Sequence, residues 1–157
     1  MIQRKQTIYL FFAGLLPLVL LFTSLGDLTM ETAYYKYTAF SVYEASKAQT
    51  FILSTVGNAV LLIATSLLSF ITIFLYKNRK AQIKLISLNM LIILLAIIAI
   101  TYIYPNLIFL KHPSLAETKI EYNVAISACF VSAIGLFLSK KAVMKDEALV
   151  RSANRLR

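Results

Sequence analysis

The chain has 157 residues, a length that fits one domain. Apolar residues of the AVILMFWYC group make up 59%, with only four glycines and three prolines and a mean hydropathy of +0.76. That is above the roughly 45–50% of a soluble domain and argues against both low-complexity coil and a turn-rich all-β fold. The net charge of +9 would suggest a polyanion partner in a soluble protein, but the placement of the charges gives it another meaning.

The first apolar segment, "IYLFFAGLLPLVLLFTSL", runs over residues 8–25 without a charge. Its basic start (Arg4, Lys5) resembles a signal peptide, but the run is long and the exit "FTSLGD" has no small-x-small cleavage pattern. A retained span is therefore expected, with Pro17 as a candidate kink. The next stretch, residues 27–50, is rich in tyrosine, threonine and valine between Tyr34 and Tyr43. This β-type composition predicts a short strand or hairpin over the outer helix ends. Tyr34, Tyr35, Tyr37 and Tyr43 fit packing there better than a ligand surface.

The second apolar segment covers residues 51–76 and the third residues 85–104. About 20 helical residues cross a hydrocarbon core of roughly 30 Å, so both can span. Ser54, Asn58, Thr65, Ser69 and Thr72 recur at helical spacing in the second and predict a polar packing stripe. Asn58 and Asn89 are the two mid-membrane amides expected to bond between helices. The hinge between these segments, "LYKNRKAQIKL", carries Lys77, Arg79, Lys80 and Lys84. Lys80 and Lys84 can snorkel to headgroups, and Asn78 reads as a left-handed helix end. The loop "PNLIFLKHPSLAETKIE" has two prolines and predicts an irregular exit. Ser114 and Glu117 stand at capping-box spacing within it.

The fourth apolar segment, residues 122–139, carries Ala125, Ala128, Ser132, Gly135 and Ser139 at alternating spacings of three and four. Such a small-residue seam lets helices approach closely, within one bundle or in a homo-oligomer. Beyond it, Leu149, Ala153 and Leu156 form an apolar stripe. Asp146 and Glu147 precede Arg151 and Arg155, with Glu147 and Arg151 four residues apart. These features predict an amphipathic tail helix docked on headgroups, on the hinge or on a partner.

With four spans, twelve cations fall on the side of the termini and the hinge, and four on the other. This asymmetry places both termini in the cytoplasm and accounts for the net charge, so no nucleic-acid partner is expected. None of the four segments contains Asp, Glu, Lys, Arg or His. That weakens proton-coupled transport and acid–base catalysis within the membrane. His112 stands without an obvious metal or triad partner. The single Cys129 reads as a packing residue and cannot form an internal disulfide. No cofactor, metal site or catalytic group is expected.

The start "MIQRKQTIYL", the hinge followed by "LN", and the end "KDEALVRSANRLR" together resemble the domain of unknown function 4293 family. The resemblance implies a small four-span inner-membrane protein of Bacteroidota and no established activity. That family often has Asp where this chain has Asn154, which puts a salt bridge there in question. The expectation is a single integral membrane domain over residues 1–157: an all-α membrane protein with four spans in an up-down bundle, a short β-type external loop and a cytoplasmic amphipathic C-terminal helix. Its expected role is a non-enzymatic accessory, scaffold or assembly subunit of the bacterial inner membrane. Arg4, Arg79, Lys80, Lys84, Asp146, Glu147, Arg151 and Arg155 would contact the anionic headgroups of the bilayer or another membrane protein. The alternative is a small oligomeric transporter or channel whose path follows the polar stripe.

Overall fold

The computed structural model describes residues 5–29, 33–45, 51–113 and 119–155. In chain order these form α1 (Lys5–Leu20), β1 (Ser24–Thr29), β2 (Tyr34–Thr38), β3 (Ser41–Glu44), β4 (Phe51–Ser54), α2 (Val56–Phe74) and α3 (Arg79–Ile98). A π-turn (Ala99–Ile103) then leads into α4 (Tyr104–Lys111), followed by β5 (Ile120–Tyr122), a 3-10 turn (Val124–Ile126) and α5 (Ser127–Arg155). Three helical stretches, Val56–Phe74, Arg79–Lys111 and Val124–Val150, are long and apolar enough to cross a membrane. With 16 residues, α1 is shorter, about 24 Å at about 1.5 Å per residue.

The all-α expectation is overturned by a five-stranded antiparallel sheet of order β4-β3-β2-β1-β5. Its strands take more than the tyrosine-rich loop. Leu25 lies in β1, Phe51–Ser54 form β4 and Tyr122 closes β5, although all stand at the ends of apolar segments in the sequence. Apolar runs do not by themselves distinguish a buried strand from a helix end. The tail is helical as expected, and of the two arrangements open to it, continuing from the last span or bending off it, the structure shows the first: α5 runs unbroken for 29 residues. The expected irregular exit after Tyr104 is helical as well, through Lys111.

One row of paired residues faces the helices: Leu53, Val42, Tyr37 and Gly26 on neighbouring strands, all buried. Gly26 is required by β5, because a Cβ there would lie 3.0 Å from the Glu121 carbonyl oxygen. The next row across, Phe51, Tyr43, Lys36, Asp27 and Glu121, is less buried. The alternation is that of a sheet packed on one side.

The helices bury uncharged polar residues among apolar ones such as Leu10, Leu62, Ile86, Ile93 and Leu136, and they expose apolar residues to the outside. Asn58, Thr65, Ser66, Ser69, Thr72, Gln82, Asn89, Ser132 and Ser139 are buried, while Phe11, Phe12, Leu67, Ile71, Leu91, Leu94, Phe130 and Phe137 are exposed. Burying one such side chain is worth about 1.5–3 kcal/mol, and exposed apolar surface on this scale marks contact with an apolar medium or partner. The arrangement is compatible with a membrane protein.

Both α1 and α3 pack against α2 and α5, and small residues set the approach. A Cβ on Gly14 would lie 3.0 Å from Ser69 Cβ, and one on Gly135 would lie 3.3 Å from the Tyr9 carbonyl oxygen. The short sequence distances between α1 and β1, β4 and α2, and β5 and α5 put the sheet at one end of the helices. The hinge and the end of α5 occupy the other.

Candidate functional site

Prolines leave helix carbonyls without their donors, and here side chains from other elements supply replacements. Pro17 brings no N–H to the Ala13 carbonyl, and Ser132 Oγ of α5 donates to it at 2.7 Å. Pro105 brings none to the Thr101 carbonyl, to which Tyr122 Oη donates at 2.9 Å. Within the π-turn the Tyr104 N–H bonds back to the Ala99 carbonyl, which leaves Ile100 without its usual donor. Tyr37 Oη donates to that carbonyl at 3.3 Å and accepts from Asn58 Nδ2 at 2.7 Å. Two sheet tyrosines therefore fasten the sheet to the π-turn.

The polar stripe of α2 lies inside this packing. Asn89 Nδ2 of α3 donates to the Thr65 carbonyl at 3.1 Å and to Ser69 Oγ at 2.8 Å. The Thr72 carbonyl sits in the last turn of α2, where no intrahelical donor is available. Gln82 Nε2 caps it at 3.2 Å. Asn89 thus bonds between helices as expected, whereas Asn58 bonds to the sheet. Ser54 belongs to β4 and is exposed. Of the α5 seam, Ser132 and Ser139 are buried, while Ala128 and Gly135 are half-buried beside α1. Gln82 and Tyr37 were missed as bonding groups. Gln82 stands seven residues before Asn89 on the same helical face, a legible signal; Tyr37 had none beyond its strand composition.

At the end away from the sheet, the hinge and the last turns of α5 form a wide-open, shallow cleft of about 820 Å³. It is lined by Tyr76, Lys77, Asn78, Arg79, Lys80, Glu147 and Val150. Asn78 has φ −111° and accepts from the Ala81 N–H, so it starts α3 and is not a left-handed helix end. That cap fixes Arg79 and Lys80 in the first turn of α3. Arg79 Nη1 donates to the Asp146 backbone carbonyl at 3.0 Å and ties the hinge to α5. Lys77 Nζ stands 6.0 Å from the centroid of the Tyr76 ring, within cation–π range.

The structure therefore brings Arg79, Lys80 and Glu147 together at one cleft, with Asp146 contributing its backbone. Lys84 is exposed on α3. Arg4, the Ser114 and Glu117 pair, and the side chains of Arg151 and Arg155 lie outside the described residues. Among the described residues no group of three or more His, Cys, Asp or Glu could hold a metal ion. His112 is half-buried in the turn after α4, and Cys129 is a free, buried thiol.

At the sheet end, the bond Tyr34 makes with Asp27 raises its phenol above the ordinary value, because the carboxylate favours the protonated partner. Burial raises Tyr37 and Tyr122 in the same direction. All three are held as hydroxyl donors.

Packed apolar helices, a five-stranded sheet closing one end and a basic cleft at the other define an α+β protein compatible with a membrane. The chain belongs to the family described as Domain of unknown function (DUF4293), which matches residues 2–156. Comparison with curated proteins gives no match.

Proposed function

We propose that this is a multi-pass protein of the bacterial inner membrane, with both termini cytoplasmic. It acts as a non-enzymatic accessory, scaffold or assembly subunit through the cleft between hinge and tail. The observation that carries this reading is the Arg79–Asp146 contact, 3.0 Å between groups 67 residues apart. Two segments that need only be solvated connections are joined into one surface. Lys77, Arg79, Lys80, Lys84, Lys140, Lys141 and Lys145 cluster toward that end, while Lys36, Lys111 and Lys119 lie toward the sheet. The excess of positive charge favours the cytoplasmic side.

Two experiments test the reading. A reporter fused after Arg157 is expected to be active only in the cytoplasm; activity only outside it overturns the orientation. Purification in mild detergent from the native host, with mass spectrometry, is expected to recover one defined membrane-protein partner in wild type, lost on Lys77→Glu with Lys80→Glu. Recovery of the chain alone, even after cross-linking, overturns the accessory role.

A further inference from the structure

The cleft continues along the protein. A second depression of about 280 Å³ is lined by Ile83, Met144, Glu147 and Ala148. A third of about 380 Å³ is lined by Met90, Phe137, Lys140, Lys141 and Met144. The first two share Glu147 and the last two share Met144, so the three form one trough between α3 and α5. Helix periodicity agrees: Arg79, Ile83 and Met90 stand four and seven residues apart, and Phe137, Met144 and Ala148 stand seven and four apart. The trough changes character along its length. Its outer end carries Lys77, Arg79 and Lys80 against the one acid Glu147. Its inner end is lined by Met90, Phe137 and Met144 together with Lys140 and Lys141, whose long stems add apolar surface there. Met side chains adapt to flexible apolar ligands, and Arg and Lys bind phosphate oxygens.

We infer that this trough binds one anionic glycerophospholipid, its phosphate at Arg79 and Lys80 and an acyl chain along Ile83, Met144, Met90 and Phe137. The inference rests on the proposal that the hinge end lies at the cytoplasmic face of a membrane, and it adds a specific lipid site to the surface proposed to meet the partner. Charge complementarity selects the occupant: a zwitterionic lipid would supply the chain but not the net negative head, and a soluble phosphate would leave the apolar end empty.

The test uses the full chain in a neutral detergent, with phosphatidylglycerol and phosphatidylcholine of matched chains, read by native mass spectrometry. Phosphatidylglycerol is expected to be retained at least tenfold better. Arg79→Gln with Lys80→Gln should reduce that retention about tenfold, and Met144→Trp, which fills the trough, should reduce it severalfold. Because Arg79 also holds α5, Lys77→Gln with Lys80→Gln serves as a second headgroup variant and should weaken retention severalfold with unchanged helical circular dichroism. Free glycerol phosphate in excess should not displace the lipid. Equal retention of the two lipids, undiminished retention in the Lys77/Lys80 variant, or displacement by glycerol phosphate overturns the site. The assay does not depend on orientation or on a protein partner, so its outcome is separate from that of the reporter and the purification.

Discussion

At the scale of single residues, the atoms that organise this protein are carbonyl oxygens whose donors are missing. Ala13 and Ser132 give the cleanest case. Ser132→Ala is expected to cost about 1 kcal/mol, because it leaves a buried acceptor unsatisfied. Pro17→Ala returns an N–H to the same carbonyl, so Ser132→Ala should cost measurably less in that background. A double-mutant cycle by thermal or denaturant unfolding in detergent reads the difference; strict additivity would refute the compensation. Tyr37 supports a second prediction. Tyr37→Phe removes the donor to Ile100 and the acceptor of Asn58, and is expected to destabilise by roughly 1–3 kcal/mol. Burial raises its folded pKa above the ordinary 10.0, so the protonated phenol is the stabilising form. Its contribution is complete below that value and is lost as pH rises through the folded value. Unfolding midpoints followed into the alkaline range should therefore fall above about pH 10. The fall should be shallower in Tyr37→Phe, with a residual slope from Tyr34 and Tyr122, whose values are raised in the same direction.

At the scale of elements, the hinge and the end of α5 are joined by a side chain on one and a backbone group on the other. The sequence pairs Asp146 and Glu147 against Arg79 and Lys80 as charges, but Arg79 donates to the Asp146 carbonyl. Asp146→Asn should therefore leave the contact in place, while Arg79→Gln should weaken it by about 1 kcal/mol. Amide hydrogen exchange across the last three turns of α5 distinguishes the two: faster exchange is expected in Arg79→Gln and little change in Asp146→Asn. The nearness of the two segments was legible because unlike charges return to one side of the helices. The accepting atom was not, since a backbone carbonyl has no residue-specific signature. The same division holds for the fold. The stripe through Thr65, Ser69 and Thr72 and the seam through Ser132 and Ser139 were readable because helical spacing is a local property. The sheet was not, because Leu25 and Leu53 continue apolar runs and take their strand identity from partners distant in sequence. Gly26 on β1 pairs with Tyr122 on β5, a contact that no local pattern encodes.

At the scale of the whole molecule, the decisive property is a surface as apolar as the core, with uncharged polar residues buried inside. Thr65, Ser69 and Asn89 are fully buried while Leu91, two residues from Asn89, is 60% exposed. Water and lipid make opposite demands on such a position, and a charge substitution separates them. In water, Leu91→Arg on an exposed helix face should change stability by no more than about 0.5 kcal/mol and should improve solubility. In a bilayer the same arginine lies in the middle of a long apolar helix, Arg79–Lys111. Insertion there is expected to cost about 2.5–3.5 kcal/mol. The control is Lys84→Arg on the same helix near its start, which keeps the charge in the headgroup region and should be neutral. Fractionation with alkaline extraction measures the outcome: Leu91→Arg should lower the membrane-integrated fraction strongly and Lys84→Arg should not. Unchanged integration of Leu91→Arg would mean that the exposed face of α3 is not in contact with lipid. The exposed leucines and phenylalanines would then require a protein partner along the length of the helix, because nothing else could offset so much apolar surface.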